Sequence, residues 1–317
     1  MSMIKLEHPH KSIEALIQNI EKVLIGKKHV IELSIVALLA KGHVLLEDVP
    51  GVGKTMLVRS LSRSIGGNFK RIQFTPDLLP TDVTGISIFN QKTLEFEFRT
   101  GPIFGHVILA DEINRTSPKT QSALLEAMEE HSVTVDGITH QLAEPFFVMA
   151  TQNPLEYEGT FPLPEAQLDR FLLQLHLGYP TESEEVAMLT RFVAQKPIEE
   201  IKPVISVEEI QALQMEVSQV KLSEGIKDYI VRLCHKTRNH PNVYLGVSPR
   251  GALGLCRAAQ ALAFVRGRDY VIPDDVKELV PVTFHHRIIL KPEARLEGAT
   301  VDRVITNVLQ ETRVPIS

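Results

Sequence analysis

Glu47-Asp48-Val49-Pro50-Gly51-Val52-Gly53-Lys54-Thr55 is the stretch from which the fold of this 317-residue chain can be read. Upstream, His43-Val44-Leu45-Leu46 is an apolar run that predicts a buried strand; downstream, Met56, Leu57, Leu61, Ser64 and Ile65 recur at helical spacing. Strand, glycine-bearing loop and helix, in that order, are the context of a phosphate-binding loop. Gly51 and Gly53 let successive N–H groups face inward, an anion nest at the positive end of a helix dipole. Pro50, Gly51, Val52, Gly53, Lys54, Thr55 and Met56 are the candidate cradle. In it Lys54 would reach the β- and γ-phosphates of ATP, and the Thr55 hydroxyl would bind Mg²⁺. The strict pattern G-x-x-x-x-G-K-[ST] wants glycine where this chain has Asp48. Aspartate tolerates unusual turn conformations, but its charge must point away from the phosphates.

The length suits about two domains, and 44% hydrophobic with 23% charged residues is ordinary for a globular protein. The 34 basic residues against 39 acidic ones give a net charge of −5, so no overall basic field draws the chain to nucleic acid. Cys234 and Cys256 are too few and too far apart for a zinc cluster or a disulfide framework, which points to a reduced compartment. Met1 to Ser12 lacks the apolar core of a secretion signal, and no run of about 18 apolar residues exists, so a cytoplasmic chain without membrane insertion is expected. The twelve histidines show no metal-ligand spacing.

Outward from the loop, helices are predicted over Ile13 to Leu24 and Lys27 to Ala40, ended by Gly42, and a second strand over Phe69 to Phe74. Ile86 to Phe89 and Leu94 to Phe98 alternate as a hairpin with Asn90-Gln91-Lys92 at its tip. Val107-Ile108-Leu109-Ala110 ends in Asp111-Glu112, a buried parallel strand that delivers two carboxylates at its C-terminal edge. Downstream of a phosphate loop, Asp111 is placed for the Mg²⁺ shell and Glu112 to polarise the water that attacks the γ-phosphate.

Lys119 to Glu130 reads as a helix, and Val133 to Thr139 as a second hairpin around Asp136-Gly137. Phe146 to Thr151 is a buried strand running into Gln152-Asn153-Pro154, so Asn153 sits at a strand tip. Pro164 to Arg170 is a short helix before a last strand, Phe171 to Leu177. From Pro180 strands give way to helices, expected at Ser183 to Ala194, Val207 to Val217, Glu224 to Lys236, Pro249 to Val265, Pro273 to Phe284 and Thr300 to Thr312. Thr181 and Ser206 are candidate helix caps. The chain therefore divides into an α/β domain over 1–179 and an all-α domain over 180–317.

The phrases LLEDVPGVGKT, FTPDLLPTDVTG, LADEINRTSPKTQSALLEAMEE, ATQNP and LPEAQLDRF resemble the MoxR branch of the AAA+ ATPases. That resemblance implies a P-loop NTPase core with a parallel five-stranded sheet in order 5-1-4-3-2, followed by a helical lid. It assigns Lys54 and Thr55 to phosphate and Mg²⁺, Asp111 to the metal shell, Glu112 to the catalytic base and Asn153 to positioning the lytic water. Arg170 matches the finger inserted by a neighbouring subunit, Arg250 the lid arginine that senses the same phosphate, and Ile25 and Gly26 the adenine pocket. The two hairpins would be insertions facing a central pore.

The function expected is an ATP-hydrolysing, ring-forming remodeller of a protein partner, with lid rotation against the core as its stroke. A homo-oligomer, hexameric in the family, follows from a finger delivered in trans, and a von Willebrand A domain protein is the partner typical of the branch. A metal-chelatase motor subunit or a nucleic-acid motor are the alternatives. Asp136, and the lack of lysine or arginine in the Thr134 to Thr139 hairpin, argue against tracking along phosphates. Arg115, beside the acid pair, reads as a solvated arginine in preference to one that acts across a subunit interface.

Overall fold

The computed structural model describes residues 9–153, 159–194 and 197–315; residues 1–8, with His8, and Pro154 lie outside them. The first half runs α1 (Pro9–Glu21), α2 (Lys28–Leu39), β1 (Val44–Glu47), α3 (Lys54–Ser64), β2 (Phe69–Gln73), α4 (Pro80–Thr84), β3 (Gly85–Asn90), β4 (Glu95–Thr100), β5 (Val107–Asp111), α5 (Pro118–Glu130), β6 (Ser132–Val135), β7 (Ile138–Gln141), β8 (Phe147–Gln152), α6 (Glu165–Leu168) and β9 (Leu173–Leu175). Five of these strands form one parallel sheet, in order β2-β5-β8-β1-β9. Counted along the chain from the other edge, that is the 5-1-4-3-2 order expected.

The central strands β1, β5 and β8 are apolar without alternation because helices cover both faces, whereas the edge strand β2 carries Lys70, Arg71 and Gln73. Val44, Leu46, Val107, Leu109, Phe147 and Met149 turn to one face, into a cluster with α1, α2, α3 and the helices of the second half. Leu45, Ile108, Ala110, Val148 and Ala150 turn to the other, against Leu124, Leu125 and Met128 of α5. The alternation is that of a pleated strand, with both sides dry.

The second half comprises α7 (Glu182–Ala194), α8 (Pro197–Glu200), α9 (Val207–Val217), α10 (Glu224–Arg238), β10 (Val243–Leu245), α11 (Pro249–Val265), α12 (Pro273–Phe284), β11 (Ile289–Leu290), α13 (Pro292–Leu296) and α14 (Val301–Glu311). Strands do not vanish here, as the sequence suggested: β10 and β11 pair antiparallel, too short to show a period. Ser206 caps α9 in a reciprocal box with Glu209, and Thr181 makes the same exchange with Glu184. Ser248 accepts from Gly251 N–H at 3.0 Å with Pro249 at the first helical position, which fixes where α11 starts. Among the described residues no helix is long and apolar enough to cross a membrane.

Both hairpins form where expected, β3 with β4 and β6 with β7. The rings of Phe98 and His140 stack at 4.0 Å and join the two. Leu94 and Phe96 near the first tip are 73% and 74% exposed, and Phe89 lies edge-on to Phe96.

His43 fastens the start of β1. Its ring accepts from Val148 N–H at 3.1 Å and donates to the Met128 carbonyl at 3.2 Å, so β8 and the end of α5 are held by one neutral imidazole. Burial pushes its pKa down to about 4. A lowered histidine is neutral in the fold while the unfolded chain takes up a proton below about 6.5, so this stability is complete above that pH and is lost as pH falls toward 4. Urea unfolding should therefore weaken by about 1.4 kcal/mol per pH unit in that window from His43 alone. In His43→Gln the number of protons taken up on unfolding near pH 5, read from that slope, should fall by about one. An unchanged slope would contradict the neutral clasp.

Candidate active site

The phosphate loop lies between the C-terminal end of β1 and α3. Gly51 and Gly53 have φ of 88° and 102°, a conformation that glycine adopts without strain and that turns the amides inward. Leu24 lies against Gly53, which brings the turn containing Ile25 and Gly26 beside the loop. The Glu184 carboxylate of α7 rests on Gly26, so close that a Cβ there would meet it at 1.8 Å.

Lys54 Nζ donates to the Asp48 carbonyl at 2.7 Å. Burial lowers its pKa, and the negative charges of Asp48, Asp111 and Glu112 oppose that shift. The Asp48 side chain turns the other way. Its two oxygens accept from the Leu177 and Gly178 N–H groups just past β9, so the carboxylate is turned toward that stretch, as the sequence required, although its charge still acts on Lys54. Aspartate at this place anchors the loop to the end of the fifth strand.

Asp111 and Glu112 end β5. Glu112 has φ 58° and ψ 50°, left-handed for a residue with a Cβ, at a cost of roughly 1–2 kcal/mol. Thr151 of β8 pins the turn: its hydroxyl donates to Asp111 Oδ1 at 2.7 Å and accepts from Glu112 N–H at 2.8 Å. Two residues of β2 reach the same carboxylates. Arg71 Nη2 lies 2.6 Å from Asp111 Oδ2, and Gln73 Nε2 donates to Glu112 Oε2 at 2.9 Å. Arg115 is not simply solvated; its Nε sits 3.4 Å from Glu112 Oε2. Asn153 is buried just beyond β8, on the same edge of the sheet.

Among the described residues no three acids, histidines or cysteines gather to hold a metal alone. A threonine hydroxyl and an aspartate carboxylate are hard oxygen donors of the kind Mg²⁺ takes together with water and phosphate, and in this structure Thr151 and Arg71 occupy the two Asp111 oxygens. Cys234 is buried, its thiol pushed up to about 12, and carries no nucleophilic chemistry.

Arg170 and Arg250 do not join this group. Arg170 precedes Leu173, which pairs with Val44 at the start of β1, whereas the phosphate loop leaves β1 after Glu47. The length of a strand, roughly 10 Å, therefore separates the two ends. Arg170 Nη2 lies 3.2 Å from Glu129 Oε2 and Arg250 Nη2 lies 2.6 Å from Glu129 Oε1, so one carboxylate brings both guanidinium groups together. Beneath them, buried Arg287 pairs with Asp169 Oδ1 at 2.6 Å, while Ser248 Oγ donates to Asp169 Oδ2 at 2.8 Å. The residue before Arg170 is thus tied to the cap of the helix that carries Arg250.

Sequence reading missed Arg71, Gln73, Thr151, Glu129 and Arg287. Gln73 could have been found by aligning the ends of β2 and β5, where it pairs with Asp111. Thr151 stands two residues before the singled-out Asn153.

Residues 43–173 match the family described as ATPase family associated with various cellular activities (AAA), and residues 235–308 match the AAA lid domain. Protein YeaC of Bacillus subtilis is 60% identical over 98% of this chain and 97% of its own length. Chaperone MoxR1 of Mycobacterium tuberculosis is 43% identical over 96% and 82%, respectively. A crystal structure of a protein assigned as an ATPase, from Cytophaga hutchinsonii, superposes with a TM-score of 0.92 at 39% identity, covering 98% of this chain and 96% of that one.

Proposed function

Because this chain belongs to the MoxR-type AAA+ ATPases, we propose that it uses the Lys54 loop and the Asp111-Glu112 pair to bind ATP with Mg²⁺, hydrolyse it to ADP and phosphate, and so remodel a protein partner. The observation that carries the reading is that the Lys54 loop follows β1 and the Asp111-Glu112 pair ends β5, so that the C-terminal edge of one parallel sheet presents both. In this reading residues 1–179 bind the nucleotide, with Ile25 and Gly26 against adenine, and residues 180–317 are the lid.

The loop amides and Lys54 hold the phosphates, and Thr55 and Asp111 would hold Mg²⁺, which supplies Lewis-acid charge to the phosphate oxygens. Glu112 takes the proton of the attacking water, and Asn153 orients that water. Arg170 and Arg250 stand off the opposite end of the sheet from their own loop, so they serve the γ-phosphate of an adjacent subunit. An assembly that closes such head-to-tail contacts is a ring, taken here as hexameric and cytoplasmic. The tie of Asp169 to Arg287 and Ser248 revises the stroke: a lid that rotates carries the Arg170 turn with it.

The exposed Phe89, Leu94 and Phe96, flanked by Glu95 and Glu97, favour an apolar protein client over a polyanion. A partner with a von Willebrand A domain remains the expectation from the family. Titration with ATP and Mg²⁺ tests the site: Lys54→Ala should bind about 10- to 100-fold more weakly, the size of a lost charge-assisted contact. Binding as tight as wild type would remove the phosphate-loop assignment.

A further inference from the structure

We propose that Glu129 is a positioning residue that holds Arg170 and Arg250 as one two-guanidinium unit for the adjacent subunit's γ-phosphate, a role that rests on the shared-site reading above.

Two like charges do not stay side by side without an anion between them. Here one carboxylate is divided, Oε1 to Arg250 and Oε2 to Arg170, at 2.6 and 3.2 Å. Arg170 Nε is buried without an acceptor, and among the described residues Glu129 is the acid that meets its guanidinium, through Nη2. The surroundings add to the crowding, since the charge of Arg250 disfavours the charged forms of Arg257 and Arg287 after their burial. Glu129 is placed rigidly: it follows Met128, whose carbonyl accepts from His43 at the foot of β1. Asp169, Arg287 and Ser248 fix the two backbones from below, and Glu129 fixes the two heads from above. Each guanidinium meets Glu129 through an Nη2 atom, and Arg250, 42% exposed, has donors to spare. Guanidinium groups fixed before the phosphate arrives need no reorganisation during the reaction, the condition under which such donors lower a barrier most.

The test is steady-state ATPase kinetics with mixed oligomers. Glu129→Gln keeps the shape and removes the charge; kcat should fall about ten- to a hundredfold while KM stays within about twofold and the thermal midpoint is unmoved. Glu129→Asp, with its carboxylate set back, should fall in between. Adding Lys54→Ala subunits, which bring an intact Glu129 and arginine pair but no working loop, should raise the turnover of Glu129→Gln. Turnover of Glu129→Gln at or above wild type overturns the proposal, since the carboxylate would then be a mere counter-charge or a competitor of the phosphate. Slow Glu129→Gln that Lys54→Ala fails to rescue, while it does rescue Arg170→Ala, overturns it alone. Failure to rescue Arg170→Ala as well removes the shared-site reading, and the role of Glu129 falls with it.

Discussion

Replacing Arg170 with alanine should leave ATP affinity within a few-fold and lower turnover by about 10³ to 10⁵. In-line phosphoryl transfer spreads negative charge over the γ-phosphate oxygens, and a guanidinium placed there stabilises that charge far more than the ground state. The affinity is expected to survive because Arg170 lies off the end of β9 that pairs with the start of β1, remote from the loop that holds the nucleotide. Position also makes the claim of a shared site testable. A Lys54→Ala subunit, whose own loop holds ATP weakly and lacks the lysine on the phosphates, still carries an intact Arg170, so mixing it with Arg170→Ala subunits should restore part of the hydrolysis. If heteromers verified by mass stay inactive at every ratio, the shared site is refuted. Normal turnover by Arg170→Ala alone would reduce the residue to a structural partner of Glu129.

Glu112→Gln should bind ATP normally and turn it over about 10² to 10⁴ times more slowly, the usual contribution of a general base. Glutamine keeps the side-chain length and the contact with Gln73 but cannot take a proton from water. The left-handed turn at residue 112 and the Thr151 hydroxyl under it are backbone features, so the substitution should leave the site's shape intact. Single-turnover hydrolysis with pre-bound ATP would measure the chemical step directly. A rate near that of wild type would oblige another group, or a relayed water, to act as the base.

The fold was readable where a residue's neighbours in sequence decide its structure. The apolar runs of β1, β5 and β8, the Asp136-Gly137 hairpin and the caps at Thr181 and Ser206 declare themselves within a few positions. So did the positions of Lys54 after its loop and of Asp111 and Glu112 at a strand tip, because loop and strand tip each carry their own signal. What stayed hidden depends on register between distant strands. Gln73 and Arg71 reach the acids only because β2 is the immediate neighbour of β5, and Thr151 because β8 is the other. Glu129 reads as one more acid in a solvated helix end, and Arg287 as the tail of a histidine pair; neither shows its partner until α5, the Asp169 turn and α11 are brought together. The two-residue β11 is shorter than any period that could announce it.

Asp48 shows what a mismatch in a pattern can mean. Scored letter by letter, it is an error in an otherwise complete word, and a strict search would discard the chain for it. In space the same letter does a different job in a different sentence: its carboxylate receives two amides from the stretch after β9, while its own carbonyl receives Lys54. Glycine, the letter the pattern expects, has no side chain to close the first of those contacts, and the Leu177 amide, which is buried, would be left unspoken for. The pattern records what most loops need in order to bend, and this loop spells out in addition where it is attached.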